Sequence, residues 1–198
     1  NFIYHLPYLL SSLFIFLKFN LVTTFKIVLS ISYLISGVSM FAFARVFWKD
    51  TKKALLVAIF YQFVPFRLVE LWVRGSFGEV YAYALLPLVL YGLTTNRFIL
   101  TAIATALLVI SHNSMSLIFF GVAALYVAFF SKTGKERLFG AKSLIIGLFL
   151  SGFYWLPAIL EHQYTYGDLF MKNMYRSHFP PLINFFVPNL TNRSELQT

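Results

Sequence analysis

The sequence predicts an all-α, polytopic transmembrane helix bundle of about six spans plus one interfacial helix, and three observations predict it. Of 198 residues, 59% are hydrophobic and 12% charged, against roughly 45–50% and about 25% in soluble domains, and the mean hydropathy is +0.75. The apolar runs approach the roughly 20 residues that cross a hydrocarbon core about 30 Å thick, and only short polar breaks part them. The net charge of +9 falls on alternate breaks, as in a chain that threads back and forth across a bilayer. In a soluble protein that charge would suggest nucleic acid; here it reports topology, and no nucleic-acid partner is expected. The absence of Cys removes disulfides, thiolate nucleophiles and Cys-based metal sites.

The chain opens on Asn1, Phe2, Ile3, Tyr4 and His5, without an initiator Met, a charged n-region or a small-residue cleavage site, and reads as an internal fragment of a longer protein. The apolar stretch 6–17 is too short to span and is assigned to an interfacial or half-inserted helix on the outer face, with Tyr4, His5 and Tyr8 at headgroup level. The alternative is an ordinary crossing with its amino end inside. Spans follow at 22–47, 54–73, 77–93, 98–111, 114–130 and 144–159. Pro65, Pro87 and Pro157 mark kinks or ends. From Tyr164 onward, Gly167, Pro180, Pro181 and Pro188 break any long helix. The chain thus divides into a helical part, 1–163, and an extracytoplasmic loop or the start of an outer domain, 164–198.

Charge orients the bundle. Arg45, Lys49, Lys52 and Lys53 against Asp50 leave +3, Arg97 adds +1, and Lys132, Lys135, Arg137 and Lys142 against Glu136 leave +3. The breaks between carry no net charge, so the loops 45–53 and 131–142 are expected in the cytoplasm.

Ionisable groups near a bilayer are costly unless paired, hydrated or used, so each is a functional candidate. Arg67, Glu70 and Arg74 are spaced to share a helix face and pair with one another. Gly75 and Gly78 then permit a tight reversal into a helix with Glu79 in its first turn, beside the positive end of the helix dipole. Arg74 and Glu79 could hold a lipid phosphate and a metal or hydroxyl, or they could be an ion pair that stabilises a loop. Ser111, His112, Asn113 and Ser114 form a polar tetrad on the same side. His112 could carry a proton or bind phosphate, or could cap the next helix together with Asn113. Glu161, after Tyr154, Trp155 and Pro157, either faces the same outer cavity or is a solvated helix end. No phosphate loop, zinc-spaced cluster, nucleophile elbow or dinucleotide fingerprint is present.

Several segments, in their order and spacing, carry a resemblance. They are Tyr4-His5-Leu6-Pro7-Tyr8, the stretch from Phe25 to Gly37, Phe43-Ala44-Arg45, Pro65-Phe66-Arg67, Val73 through Glu79, Leu86-Pro87-Leu88, Ser111-His112-Asn113 and Trp155 through Glu161. As a set they resemble the bacterial multispanning membrane proteins catalogued as 6-pyruvoyl-tetrahydropterin synthase related, which are similar to GT-C class glycosyltransferases; the pterin label is not an activity. The resemblance implies an integral protein of the bacterial plasma membrane. It would move a sugar from a polyprenyl-phosphate donor to a cell-envelope acceptor on the extracytoplasmic face, in contact with membrane lipid. It implies Glu79 as the catalytic carboxylate of the second outer loop, with Arg74, His112, Asn113 and Glu161 as substrate-binding residues and a divalent metal ion as a candidate cofactor. The first-loop acid of that class has no counterpart here. The competing reading is a non-enzymatic envelope transporter or assembly protein. Transporters place ionisable groups at mid-membrane in broken helices, whereas this sequence sets them at helix ends on one face.

Overall fold

The computed structural model describes residues 4–161 and Tyr164. Residues 1–158 belong to one compact unit and 159–198 to a second. The expected outer segment lies outside the described residues apart from Tyr164.

Among the described residues the chain is helical and forms no strand. The helices are α1 (His5–Phe16), α2 (Leu21–Trp48), α3 (Thr51–Gln62), α4 (Pro65–Val69), which runs into a π-helical turn at Glu70–Arg74, α5 (Phe77–Thr94), α6 (Phe98–Ser111), α7 (Asn113–Phe130), α8 (Gly134–Leu150) and α9 (Gly152–Leu160). Short polar side chains set several starts by taking the orphan N–H groups of the first turn. The Asn20 side chain accepts from Thr23 N–H, that of Asp50 from Lys52 and Lys53 N–H, and that of Thr133 from Glu136 N–H.

Every predicted span has a helical counterpart, with two corrections. Among the described residues only α2, α5 and α7 are unbroken helices long and apolar enough to cross a membrane, and counting each of two bent pairs as one span raises the number to five. The run 54–73 is broken before Pro65 and bent by 45°, and the run 144–159 is bent by 68° between α8 and α9. Helix α6, at 14 residues, is about 21 Å long and falls short of a full crossing by itself.

The prolines divide in an instructive way. Pro65 opens α4, where its missing N–H costs nothing. Pro87 neither ends nor breaks α5. It cannot donate to the carbonyl of Tyr83 one turn back, and the Tyr61 hydroxyl donates to that oxygen instead, at 2.8 Å. Pro157 lies within α9, and the bend falls earlier, at Ser151.

Helix α5 is the hub, buried along most of its length and packed by α2, α6 and α7. Small residues bring the helices close, as in membrane bundles generally. A Cβ on Gly147 of α8 would stand 2.5 Å from Thr105 Cβ and 2.6 Å from the Ala102 carbonyl of α6, and one on Gly92 would stand 2.5 Å from Thr101 Oγ1. Outward, Leu34, Val38, Leu117, Phe129 and Phe149 are each at least 65% exposed. A water-soluble monomer rarely shows apolar surface on that scale, so the solvent for these faces is lipid.

The two ends of the bundle differ. At one, Lys49, Asn96 and Lys132, from the three basic breaks, line a single cleft of about 430 Å³. At the other, Phe25 of α2 packs edge-on against Phe77 at the start of α5. Helix α1 belongs to this second end by both termini. Tyr4 stacks on His112, and after a four-residue link from Phe16 the chain enters α2. It therefore lies across that end and does not run down the bundle.

Candidate functional site

The polar residues singled out in the sequence converge where α1, the π-helical turn, α5 and the α6–α7 junction meet. Arg74 closes the π-helical turn, and Gly75 follows in the left-handed region at φ +60°, a conformation glycine adopts without a Cβ penalty. Ser76 then leads into α5. Gly78 is needed for closeness: a Cβ there would meet the Ser111 carbonyl at 2.5 Å and the Tyr4 ring at 2.8 Å.

Arg74 is the clasp. Its Nη1 donates to Glu70 Oε1 at 2.5 Å, and its Nη2 lies 3.3 Å from Glu79 Oε1. The Glu70 and Glu79 side chains are only 1% and 8% exposed, while that of Arg74 is 54% exposed. His112 adds a second contact, with Nε2 3.5 Å from Glu79 Oε1. His112 Nδ1 accepts the Met115 N–H at 3.3 Å. An accepting Nδ1 assigns the proton of the neutral ring to Nε2, which faces the carboxylate. Burial, and after it the Arg74 cation, hold the His112 imidazole below its ordinary value, against a weaker opposing pull from Glu70.

The sequence reading needs correction at three points. Arg67 does not pair with Glu70. Its Nη1 donates to Ser36 Oγ and Gln62 Oε1, and its guanidinium lies 5.2, 5.4 and 5.6 Å from the ring centroids of Tyr33, Tyr61 and Tyr83. Arg67 and Glu70 keep helical spacing, the Glu70 N–H bonding to the Arg67 carbonyl, so the guanidinium leaves that face through its own contacts, while the π-helical turn alters only the spacing from Glu70 to Arg74. The cap of α7 is His112 alone; Asn113 is the first helical residue, and its Oδ1 accepts from the Tyr154 hydroxyl. Ionisable groups are also not all gathered at the Glu79 cluster, because Arg67, in the first turn of α4, is buried at 3% exposure among α2, α3 and α5. Glu161 is exposed just past the last residue of α9 and belongs to the second unit.

Two contacts had no signal in the sequence. The Tyr4 ring stacks on His112 at 4.4 Å, and His5 meets Tyr154 edge-on at 5.0 Å. The residues involved are far apart in the chain, and nothing in their spacing links them. A divalent metal ion finds no ready seat, since no three His, Asp or Glu side chains among the described residues converge to hold one.

A buried acid–guanidinium–imidazole cluster at one end of a lipid-facing helical bundle describes a membrane protein with a polar site, and comparison with known proteins gives the lineage. No curated protein and no solved structure matches the chain. The family model described as 6-pyruvoyl-tetrahydropterin synthase related domain, membrane protein, matches residues 2–196. The agreement extends over nearly the whole sequence, and the chain belongs to that membrane-protein family.

Proposed function

We propose that this chain forms part of a GT-C-like glycosyltransferase that moves a sugar from a polyprenyl-phosphate donor to an envelope acceptor, at the extracytoplasmic face of a bacterial plasma membrane. One observation carries the reading: Glu79 is held by Arg74 and His112 at the bundle end opposite the lysine-rich breaks, and the positive-inside rule puts those breaks in the cytoplasm.

The chemistry follows from the charges. Glu79 takes the proton of the acceptor hydroxyl as that oxygen forms its bond to the anomeric carbon. The bond from that carbon to the phosphate oxygen breaks, and its electron pair leaves with the polyprenyl phosphate. Protonation of Glu79 removes one of the two negative charges facing Arg74, so the exposed side of the guanidinium can meet the leaving phosphate through its planar fork. His112 flanks Glu79, with its Nε2 3.5 Å from Oε1. No step is routed through a metal ion.

The test is transfer of labelled sugar from a polyprenyl-phosphate hexose in membranes that carry the full-length protein. Glu79→Gln and Arg74→Ala should abolish transfer, while Arg97→Gln should not. Intact transfer in both site variants would sink the assignment.

One observation favours a second reading, an envelope transporter or assembly protein. Arg67 is buried beside a broken helix, the arrangement transporters use. Counterflow of labelled substrate in sealed vesicles, with no covalent product, would select it.

A further inference from the structure

Arg67 stands apart from the Glu79 cluster in one respect. Among the described residues no carboxylate lies within ion-pairing distance of it, whereas Arg74 faces two. Its guanidinium is always protonated and is 3% exposed. The hydrogen bonds to Ser36 and Gln62 both leave from Nη1, and Nη2 is buried with no partner at all.

A buried cation without a counter-ion is expensive, and leaving one of its donors unmade adds to the cost. The surroundings recover part of it through three tyrosine faces, a hydroxyl and an amide oxygen. They are also built rather than casual. Gln62 is fixed from both sides, its Nε2 donating to the Tyr33 carbonyl at 2.7 Å and its own carbonyl accepting from the Tyr33 hydroxyl at 3.2 Å. Tyr61 is fixed by its bond to the Tyr83 carbonyl. Tyr33, Tyr61, Gln62 and Tyr83 are each only half-buried.

We propose that Arg67, with Ser36, Gln62 and the three tyrosines, is a binding site for a phosphate oxyanion that takes the free Nη2 donor and supplies the missing charge. This site is distinct from the Glu79 cluster and does not depend on the glycosyltransferase reading. The same chemistry could come from a phospholipid headgroup or from free phosphate.

The experiment uses the purified full-length protein in phosphatidylcholine bilayers. Its thermal midpoint is read alone, with inorganic phosphate in the buffer, and with phosphatidylglycerol in the bilayer. The wild type should gain stability with at least one anion, and Arg67→Gln should lose that gain, with anion affinity down about tenfold or more. Arg97→Gln, which removes an exposed arginine that also lies over a tyrosine ring, should keep it. A response to inorganic phosphate identifies the free ion, and a response to phosphatidylglycerol alone identifies a headgroup. Should Arg67→Gln fail to fold, Arg67→Lys retains the charge without the fork and should show a smaller gain. The proposal is overturned by a wild type that responds to neither anion, or by a gain that survives unchanged in the Arg67 variant.

Discussion

Within α5 the Tyr61 hydroxyl bonds to the carbonyl that Pro87 leaves without a helical donor, and its contribution is open to measurement. Tyr61→Phe deletes the donor to the Tyr83 carbonyl but keeps the ring, so the Arg67 guanidinium 5.4 Å away retains its aromatic face. Polar contacts between membrane helices are worth about 0.6 kcal/mol on average and up to about 1.7 kcal/mol. This one serves a carbonyl that Pro87 has stripped of its helical donor, so the upper half of that range applies and the expected loss is about 1 kcal/mol. Pro87→Ala restores an N–H one turn below Tyr83. In that background Tyr61→Phe should cost no more than a few tenths of a kcal/mol, because the helix itself then satisfies the carbonyl. The pair therefore carries a coupling energy of about 1 kcal/mol. The assay is unfolding of the four proteins in detergent, followed by circular dichroism. Equal costs of Tyr61→Phe in the two backgrounds would refute the account.

Four further outcomes are expected. Arg74→Gln leaves two buried carboxylates facing each other; breaking a buried pair costs ~3–5 kcal/mol, and the half-exposed guanidinium reduces this to about 2 kcal/mol, which Glu70→Gln should partly restore in an unfolding titration. The His112 pKa is lowered from 6.5 in the folded state, so below pH 6.5 the unfolded state binds the extra proton first and stability falls as pH falls; His112→Asn should flatten that slope in unfolding curves recorded across the same range. Gly147→Ala should destabilise by about 1–3 kcal/mol through overpacking against Thr105 and Ala102, whereas Gly152→Ala, with nothing within 4 Å of its Cβ, should be neutral or slightly stabilising in the same thermal assay. Because the chain has no Cys, single cysteines report sidedness cleanly, and Ser76→Cys should react with an impermeant thiol reagent from outside intact cells while Lys135→Cys should react only after lysis.

Much of the site was readable from residue type. Glu79 sits in the first turn of its helix, Arg74 pairs with a carboxylate, and His112 caps the next helix, each because a local rule demands it. The charge pattern also anticipated that Lys49, Asn96 and Lys132 would gather at one end, since alternate breaks in a threaded chain must share a side. Where two rules competed, the sequence left the matter open. Arg67 had a regular helical spacing to Glu70, and its guanidinium instead bonds to Ser36 of α2 and Gln62 of α3. Pro87 had the residue type of a helix end, yet α5 continues through it, and a hydroxyl on another helix takes the carbonyl it leaves free.

What the sequence by itself determined is the all-α membrane bundle, because too little polar surface is available for any other solvent and because backbone groups in lipid must bond within their own helix. The polarity of its two ends follows from the same threading. Only the tertiary structure decided which polar groups meet. Tyr33, Tyr61 and Tyr83 come from three different helices, and only their packing makes them the walls of a cage around Arg67. The ion pair of Glu79 with Arg74 and its contact with His112 likewise require α5 and the α6–α7 junction to approach across Gly78, a distance no spacing along the chain encodes.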